Sequence, residues 1–436
     1  MSLASKWNKF VQKIGRHGSD PSVMHHRHQV NPDDLSRQAL DTVSRLHDAG
    51  FEAYLVGGCV RDLQLGCKPK DFDVVTDATP EQIARLFRNS RIIGRRFRLV
   101  HVYYRAEVIE VSTFRANTEE SVTSNLEEAS FASVSEGNNT YGTLEEDAWR
   151  RDFTINALYY NPRESLIIDH TGGMVDTKNR CLRMIGDPHQ RFHEDPVRLL
   201  RAIRLAAKLD LSIEKQTHHE LMELPHLLQH VAPARLFDEV CKLFFTGHAT
   251  ASYRLLSEMG YFKSLFPDAH AVLEGTDDKR YERLLNLAME ETDRRYQQDL
   301  SLSPGYLMAV IFWPAVAQKQ LEIFNATNRY AASVHQAIHQ SMTSAQALLQ
   351  IPKRFSGMMQ GIWSLFYRLQ MPARSQVRIE RILAQRYVRA GVDFLELQTI
   401  AGWDYSDSAA WWRKRVPQEV FRKESFRRSG APRPRR

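Results

Sequence analysis

The sequence predicts an α+β chain: a front part in which short strands alternate with helices, followed by a long helical rear. Three observations predict it. Runs dominated by β-branched and aromatic residues, such as Arg98–Tyr104 and Glu107–Phe114, fall in the front of roughly 150 residues. From Asp187 onward Leu, Ala, Arg and Glu take over and such runs become rare. And 436 residues are too many for one ordinary domain, so roughly two to four are expected.

The elements follow in order. Residues 1–30 are polar, carry His25, His26 and His28, and lack an apolar period, so a loose leader is expected. Three neighbouring histidines in a loose segment rarely converge on one metal. Asn31-Pro32-Asp33-Asp34 is a helix start, Leu35, Ala39, Leu40, Val43 and Leu46 recur at helical spacing, and Gly50 closes the helix. Phe51–Val56 reads as a strand, and Gly57-Gly58 as a turn opening a second helix. Asp71–Val75 reads as a strand and Pro80–Asn89 as a helix, before the two strands named above. In Asn117–Glu146 Ser, Thr, Asn and Glu crowd out hydrophobic residues, which predicts a mobile loop. Phe153–Tyr160 and Leu166–Asp169 resume the strand pattern, with a turn at Gly172-Gly173.

Composition bounds the function. An apolar fraction of 43% with 25% charged residues describes a globular chain. The longest apolar run, Tyr306–Ala317, is shorter than the ~20 residues a bilayer needs and contains Pro314. It reads as a buried helix, and no membrane span is expected. Lys6, Lys9 and Lys13 are followed by no apolar h-region, so no secretory signal is read. Cys59, Cys67, Cys181 and Cys241 have neither zinc spacing nor an obvious pairing, and a reduced cytoplasmic chain without structural metal is expected. Lys and Arg exceed Asp and Glu to give a net charge of +7. The stretch Arg422–Arg436 holds seven basic residues against Glu424, which accounts for +6 of it. A near-neutral body with a basic arm points to a polyanionic partner, against the plainer reading of a solubilising tail.

The sharpest local feature is Lys70-Asp71-Phe72-Asp73-Val74. On a strand Asp71 and Asp73 share a face, about 6.6 Å apart, while Phe72 turns into the core. Two carboxylates that close repel unless a cation lies between them, and a pair of Mg²⁺ ions clamping a phosphoryl group is the usual use of such a pair. Alone, the pattern also fits an ordinary solvated strand face. Glu110, in Val108-Ile109-Glu110-Val111, faces away from its apolar neighbours and offers a third carboxylate, or is simply an exposed strand residue. Upstream, Gly57-Gly58-Cys59-Val60-Arg61-Asp62 lets the backbone approach a triphosphate closely, with Arg61 as a fork for its oxygens.

Further along, Glu194-Asp195-Pro196-Val197-Arg198 places Asp195 and Arg198 at i and i+3 of a predicted helix, an acceptor beside a donor. Adenine and cytosine each present an amine next to a bare ring nitrogen, which matches that pair. Guanine and uracil reverse it, at a cost of roughly 1–3 kcal/mol per unpaired group. The competing reading is a surface ion pair. Arg201 and Arg204 continue the ridge, as phosphate contacts or as solvated charge.

Taken together, Gly-Gly-x-Val-Arg-Asp, then Lys-Asp-x-Asp, then Arg150-Arg151-Asp152-Phe153-Thr154-Ile155-Asn156, then Glu194-Asp195-Pro196-Val197-Arg198 resemble the bacterial family of poly(A) polymerases and tRNA CCA-adding nucleotidyltransferases. The resemblance covers about residues 50–245. It implies a nucleotidyltransferase head with a small mixed β-sheet and helices, then an all-α neck, body and tail. The expected divisions are a leader (1–30), the head (31–182), a neck with the base-reading helix (183–250), an RNA-binding body and tail (251–415) and a basic arm (416–436). It also implies that Asp71 and Asp73 hold two Mg²⁺ ions, and that Gly57, Gly58 and Arg61 meet the triphosphate of ATP. Arg151 and Asp152 then meet the nucleotide sugar, and Asp195, Arg198 and Arg201 lie toward the nucleotide. Asp152 and Glu110 both stand as the third catalytic carboxylate.

Three features favour the poly(A) branch. Ile92-Ile93-Gly94-Arg95-Arg96-Phe97-Arg98 and Ile351-Pro352-Lys353-Arg354 resemble segments of that branch, as does the arginine-rich end. Arg427, Arg428, Arg433, Arg435 and Arg436 are accordingly expected on RNA, since phosphate contacts ignore base identity. Trp411 and Trp412, near Trp403 and Tyr405, are candidates for base stacking and equally for helix packing. The expected activity is template-independent transfer of AMP from ATP to RNA 3′ ends, with RNA-degradation machinery as a further partner. CCA addition to tRNA, or a catalytically silent RNA-binding protein on the same scaffold, are the alternatives.

Overall fold

The computed structural model describes residues 24–26, 30–94, 98–105, 107–116, 141–373 and 375–416. They fall into two compact units, one of the described residues up to Arg191 together with Leu211–His218, the other of Phe192–Asp210 together with the described residues from His219 onward.

The first unit is built on an eight-stranded mixed sheet. Its strands are β1 (Met24–His26), β2 (Ala53–Val56), β3 (Asp73–Thr76), β4 (Ser90–Ile93), β5 (Leu99–Tyr103), β6 (Val108–Thr113), β7 (Leu158–Asn161) and β8 (Leu166–Asp169), in the spatial order β1-β8-β7-β2-β3-β6-β5-β4. The pairs are antiparallel except β3 with β6. Around the sheet lie α1 (Arg37–Asp48), α2 (Gly58–Gln64), α3 (Pro80–Leu86), α4 (Leu144–Trp149) and α5 (Gly173–Lys178).

Strand alternation sends side chains to two cores. Ala53, Leu55, Val74, Ile109, Val111, Leu158 and Tyr160 pack with Ala39, Val43 and Leu46 of α1. On the other face Tyr54, Val56, Val75, Tyr159 and Ile168 pack with Phe114 and Ala148. Helix α1 ends in a Schellman motif: the N–H of Phe51 bonds the carbonyl of Leu46 and that of Gly50 the carbonyl of His47, with Gly50 at φ +89°. Asp169, fully buried, accepts from the N–H groups of Thr171, Gly173 and Met174 and so fixes the start of α5. Gly173 is required there, because a Cβ would lie 2.2 Å from the carbonyl oxygen of Thr154.

Several sequence expectations are corrected in detail. Asn31–Asp34 opens a 3₁₀ turn, Pro32–Asp34, and α1 begins only at Arg37 with Ser36 as its cap, whose Oγ accepts from the N–H of Ala39. Part of the supposed loose leader, Met24–His26, pairs with β8 as an edge strand. The strand expected from Asp71 starts at Asp73, leaving Asp71 just ahead of it. The Pro80–Asn89 helix stops at Leu86, and the chain returns as β4, which the sequence reading did not name. Residues 117–140 of the expected loop lie outside the described residues, but its end is helical: Thr143 and Glu146 form a reciprocal capping box at the head of α4. Phe153–Tyr160 enters through a 3₁₀ turn, Thr154–Asn156, before β7.

The described residues of the second unit form helices and no strand; it opens on the end of a helix at Pro188–Glu194, which is followed by α6 (Val197–Leu209). Its core helix is α7 (Pro304–Thr327), in which Leu307–Val316 are buried on every side, as the apolar run requires. Trp363 donates its indole N–H to the carbonyl of Ala309 at 2.9 Å, and Trp313 meets the rings of Phe366 and Phe394 at 4.6 and 5.3 Å. Trp412 belongs to this core, fully buried with its N–H on the carbonyl of Leu369, so it has no face left for a base. No helix among the described residues is long and apolar enough to cross a membrane.

Candidate active site

Sheet register assembles the site. On one face a single row of neighbours crosses the strands: Ile168, Tyr159, Val56, Asp73, Glu110, His101 and Arg91. The parallel pairing of β3 with β6 sets Glu110 directly beside Asp73. Exposure alternates along both segments, with Asp71, Asp73 and Glu110 open to solvent while Phe72, Val74, Ile109 and Val111 are buried. Asp71 is exposed like Asp73, although only Asp73 lies in the strand.

The electrostatics follow from that crowding. The carboxyl of Asp73 is pushed up to about 6, first by the protein surrounding it, then by Glu110, with Asp71 adding and Arg151 opposing. Glu110 Oε1 lies 3.2 Å from Nε2 of His101, an ion pair when the imidazole is protonated. Among the described residues no three His, Cys, Asp or Glu side chains are gathered tightly enough to enclose a metal ion. Magnesium does not require that: it is commonly held by one or two carboxylates and completes its shell with water and substrate phosphates. Asp71 and Asp73, hard oxygen donors in mutual repulsion, fit such an ion.

The glycine turn stands beside this row. Gly57 has φ +76° and ψ −128°, a conformation that only glycine adopts at low cost, and a Cβ there would lie 3.5 Å from Nη1 of Arg151. Gly58 opens α2. Arg61, expected as a fork for phosphate, is turned inward in this structure. It is 5% exposed, with Nε and Nη2 on Oδ1 of Asp62 at 2.8 and 2.5 Å and Nη1 on Oδ1 of Asn156 at 2.6 Å. Its neighbouring carboxylate satisfies the guanidinium, so here it straps the turn to Asn156. Asn156 in turn donates to Oδ1 of Asp152 at 3.0 Å, and the same oxygen accepts from the N–H of Phe153 at 2.8 Å. The glycine turn and the Arg-Arg-Asp segment are thus one connected structure.

Arg151 is held by residues the sequence reading passed over. Asp147, on α4 and 1% exposed, accepts from Nε and Nη2 of Arg151 and from the hydroxyl of Tyr159. It sits in an acidic run at the end of a supposed loop. The signals that mark it are the Thr143-x-x-Glu146 capping box and the spacing of Asp147 to Arg150 and Arg151, i to i+3 and i+4.

In the second unit Asp195 is not on the helix with Arg198 as expected. It precedes α6, because Pro196 cannot continue the preceding helix, and its Oδ1 lies 3.3 Å from the N–H of Val197. Arg198 pairs instead with Glu194 at 2.8 Å, and Asp195 with Arg235 at 3.1 Å. Arg201 lies on α6. Arg95–Phe97 and the arginines from Arg427 to Arg436 lie outside the described residues.

Three stretches of the chain match known family models. Residues 53–183 match the model of the poly A polymerase head domain, 210–273 that of the "probable RNA and SrmB-binding site of polymerase A", and 326–436 that of the polymerase A arginine-rich C-terminus. Poly(A) polymerase I of Haemophilus influenzae is 42% identical over 393 residues, covering 88% of this chain and 85% of that protein. The chain belongs to the bacterial poly(A) polymerase family. It is therefore a nucleotidyltransferase, an enzyme rather than a silent RNA-binding protein. Poly(A) polymerase I of Escherichia coli is 41% identical over 374 residues, covering 85% of this chain and 80% of that one. The CC-adding tRNA nucleotidyltransferase of Halalkalibacterium halodurans is 36% identical over 281 residues, 64% of this chain and 63% of that one. The fold is shared with a Bacillus stearothermophilus CCA-adding enzyme solved with CTP, at a TM-score of 0.57 and 23% identity over 87% of this chain and 81% of that one. Within the poly(A) polymerase family the α+β head and helical rear are thus as expected.

Proposed function

We propose that the chain adds AMP from ATP to RNA 3′-hydroxyls without a template, releasing pyrophosphate. The observation that carries this reading is the row in which Asp73 stands beside Glu110, with Asp71 next to it and Arg151 behind the glycine turn. Asp71 and Asp73 hold Mg²⁺ in this reading. When bound, the metal lowers the pKa of the attacking hydroxyl and neutralises charge on the phosphates. Glu110, rather than Asp152, is the third carboxylate, since it neighbours Asp73 directly whereas Oδ1 of Asp152 is spent on Phe153 and Asn156. Gly57 and Gly58 let the triphosphate approach the backbone, Arg151 meets an oxygen of the nucleotide, and Arg61 supports the turn. Asp195 and Arg198 select adenine over guanine and uracil by exchanging their present partners, Arg235 and Glu194, for the base, with Arg201 on the same helix as Arg198, and the arginine-rich end tethers RNA of any sequence.

The enzyme works in the cytoplasm, and RNA-degradation machinery consumes the tailed product. The test is a primer assay with Mg²⁺, offering oligoadenylate or a tRNA lacking its CCA end, with each of the four nucleotides singly and with CTP and ATP together. Long tails from ATP support the reading. A stop after C, C and A on tRNA alone assigns the CCA activity instead, and incorporation of GTP as readily as ATP refutes the base-selection roles.

A further inference from the structure

A buried carboxylate is costly unless it is fully partnered, so Asp147 demands an explanation. Its Oδ1 accepts from Nε of Arg150 at 3.0 Å and lies 3.4 Å from the N–H of Arg115. Its Oδ2 accepts from Nη2 of Arg151 at 2.9 Å, from Nε at 3.1 Å, and from the hydroxyl of Tyr159 at 2.9 Å. The Tyr159 oxygen, having given its proton to Asp147, accepts from Nε of Arg151 at 2.9 Å. Two groups thus fix two nitrogens of one planar guanidinium. Among the described residues no hydrogen bond engages the remaining nitrogen, Nη1, and it lies against Gly57 at the edge of the carboxylate row.

The backbone explains why Tyr159 is the residue that reaches. Tyr159 shares the cross-strand row with Asp73, two strands away and so at about 10 Å. Arg151, anchored on the Tyr159 hydroxyl, reaches back to the glycine turn that follows Val56 of the same row. A brace serving stability alone has no need to leave a nitrogen facing a glycine that lacks a side chain.

We propose that Asp147 and Tyr159 are positioning residues for Arg151, aiming its Nη1 at an acceptor oxygen of the incoming nucleotide. The inference rests on the reading of this site as a nucleotide site. It does not depend on which RNA is extended. The acceptor is a phosphate or a ribose oxygen, and a guanidinium N–H donates to either, more strongly to the anionic phosphate.

The test measures Mg-ATP binding by calorimetry, primer binding, and steady-state kinetics for Asp147→Asn, Tyr159→Phe, Arg151→Ala and the Asp147→Asn/Arg151→Ala double variant. Asp147→Asn is expected to weaken ATP binding about tenfold or more and Tyr159→Phe about three- to tenfold, with primer affinity held within twofold. On the Arg151→Ala background Asp147→Asn adds less than twofold. The same loss for ATP and 2′-deoxyATP excludes the 2′-hydroxyl as the acceptor, and a loss confined to ATP assigns it. ATP affinity unchanged in Asp147→Asn and Tyr159→Phe, a parallel loss of primer affinity, or an undiminished effect on the Arg151→Ala background would overturn the proposal. Tyr159→Phe keeps the buried ring and carries the test if Asp147→Asn does not fold. Wild-type protein that binds ATP but extends no primer refutes the proposed function and leaves this inference standing. Wild-type extension with unaltered ATP binding in the variants does the reverse.

Discussion

Replacing Gly57 by alanine separates backbone strain from crowding at the site. An added Cβ would sit 3.5 Å from Nη1 of Arg151 and 3.7 Å from the carbonyl oxygen of Asn156, both ordinary contacts, so no clash is created. The cost lies in the backbone: φ +76° with ψ −128° is outside the regions an L-residue adopts, and holding one there costs of order 1–3 kcal/mol. For a unit of this size about 2–4 °C of melting temperature is lost per kcal/mol, so a fall of roughly 3–10 °C is expected. The methyl also covers the end of the Arg151 guanidinium, and the KM for ATP should rise about tenfold or more while primer affinity holds. Gly50→Ala is the control. It too has positive φ, at +89°, with nothing within 4 Å, so it should lower the melting temperature by a similar few degrees and leave the KM for ATP alone. The assay pairs thermal unfolding with primer extension across ATP concentration. A Gly57→Ala enzyme with wild-type KM, or a Gly50→Ala enzyme with an equal KM defect, refutes the argument that this turn is shaped for a nucleotide.

Three further outcomes follow from the charges. Asp73→Asn should abolish extension yet raise the melting temperature of metal-free protein at pH 8. An acid whose pKa is raised on folding from 3.8 to about 6 destabilises the fold progressively as pH climbs between those two values, so the gain should shrink below pH 6 and vanish only below about pH 4; a variant less stable than wild type at pH 8 contradicts this. Asp147 has the opposite sign: burial resists its ionisation, but Arg151, Arg150 and Tyr159 outweigh burial and hold its carboxyl below the ordinary range. Its contribution is therefore present above about pH 4 and lost as pH falls, so wild-type and Asp147→Asn melting curves should converge in acid, and a constant gap would exclude it. Deleting Arg422–Arg436, with its seven basic residues, should flatten the dependence of log affinity for single-stranded RNA on log salt by as much as about 5. An unchanged slope removes the tether.

Where the sequence reading succeeded, local chemistry decided the outcome. Alternation around Phe72 and Ile109 was enough to put Asp73 and Glu110 on the solvent side of their strands, and the apolar run through Trp313 could only be a buried helix. What it missed depends on partners distant in the chain. Nothing local says that β3 and β6 pair in parallel, which is what places Glu110 beside Asp73. The inward turn of Arg61 depends on Asn156, 95 residues away, and the role of Asp147 on Tyr159, reached only when α4 lies against β7. Pro196 was read as part of a helix although proline ends one as readily as it begins one, and Asp195 moved out of register with Arg198 as a result. Trp412 shows the same limit: an aromatic pair at Trp411 and Trp412 gives no hint which member is buried.

The most direct measurement offers the purified chain an oligoadenylate primer with ATP and Mg²⁺, alongside its Asp73→Asn variant, and follows both extension and primer binding. Long A-tails from the wild type, none from the variant, and primer bound equally by both are the predicted result. Tailing by Asp73→Asn at the wild-type rate would contradict the account, because the chemistry would then lie somewhere other than the row of carboxylates.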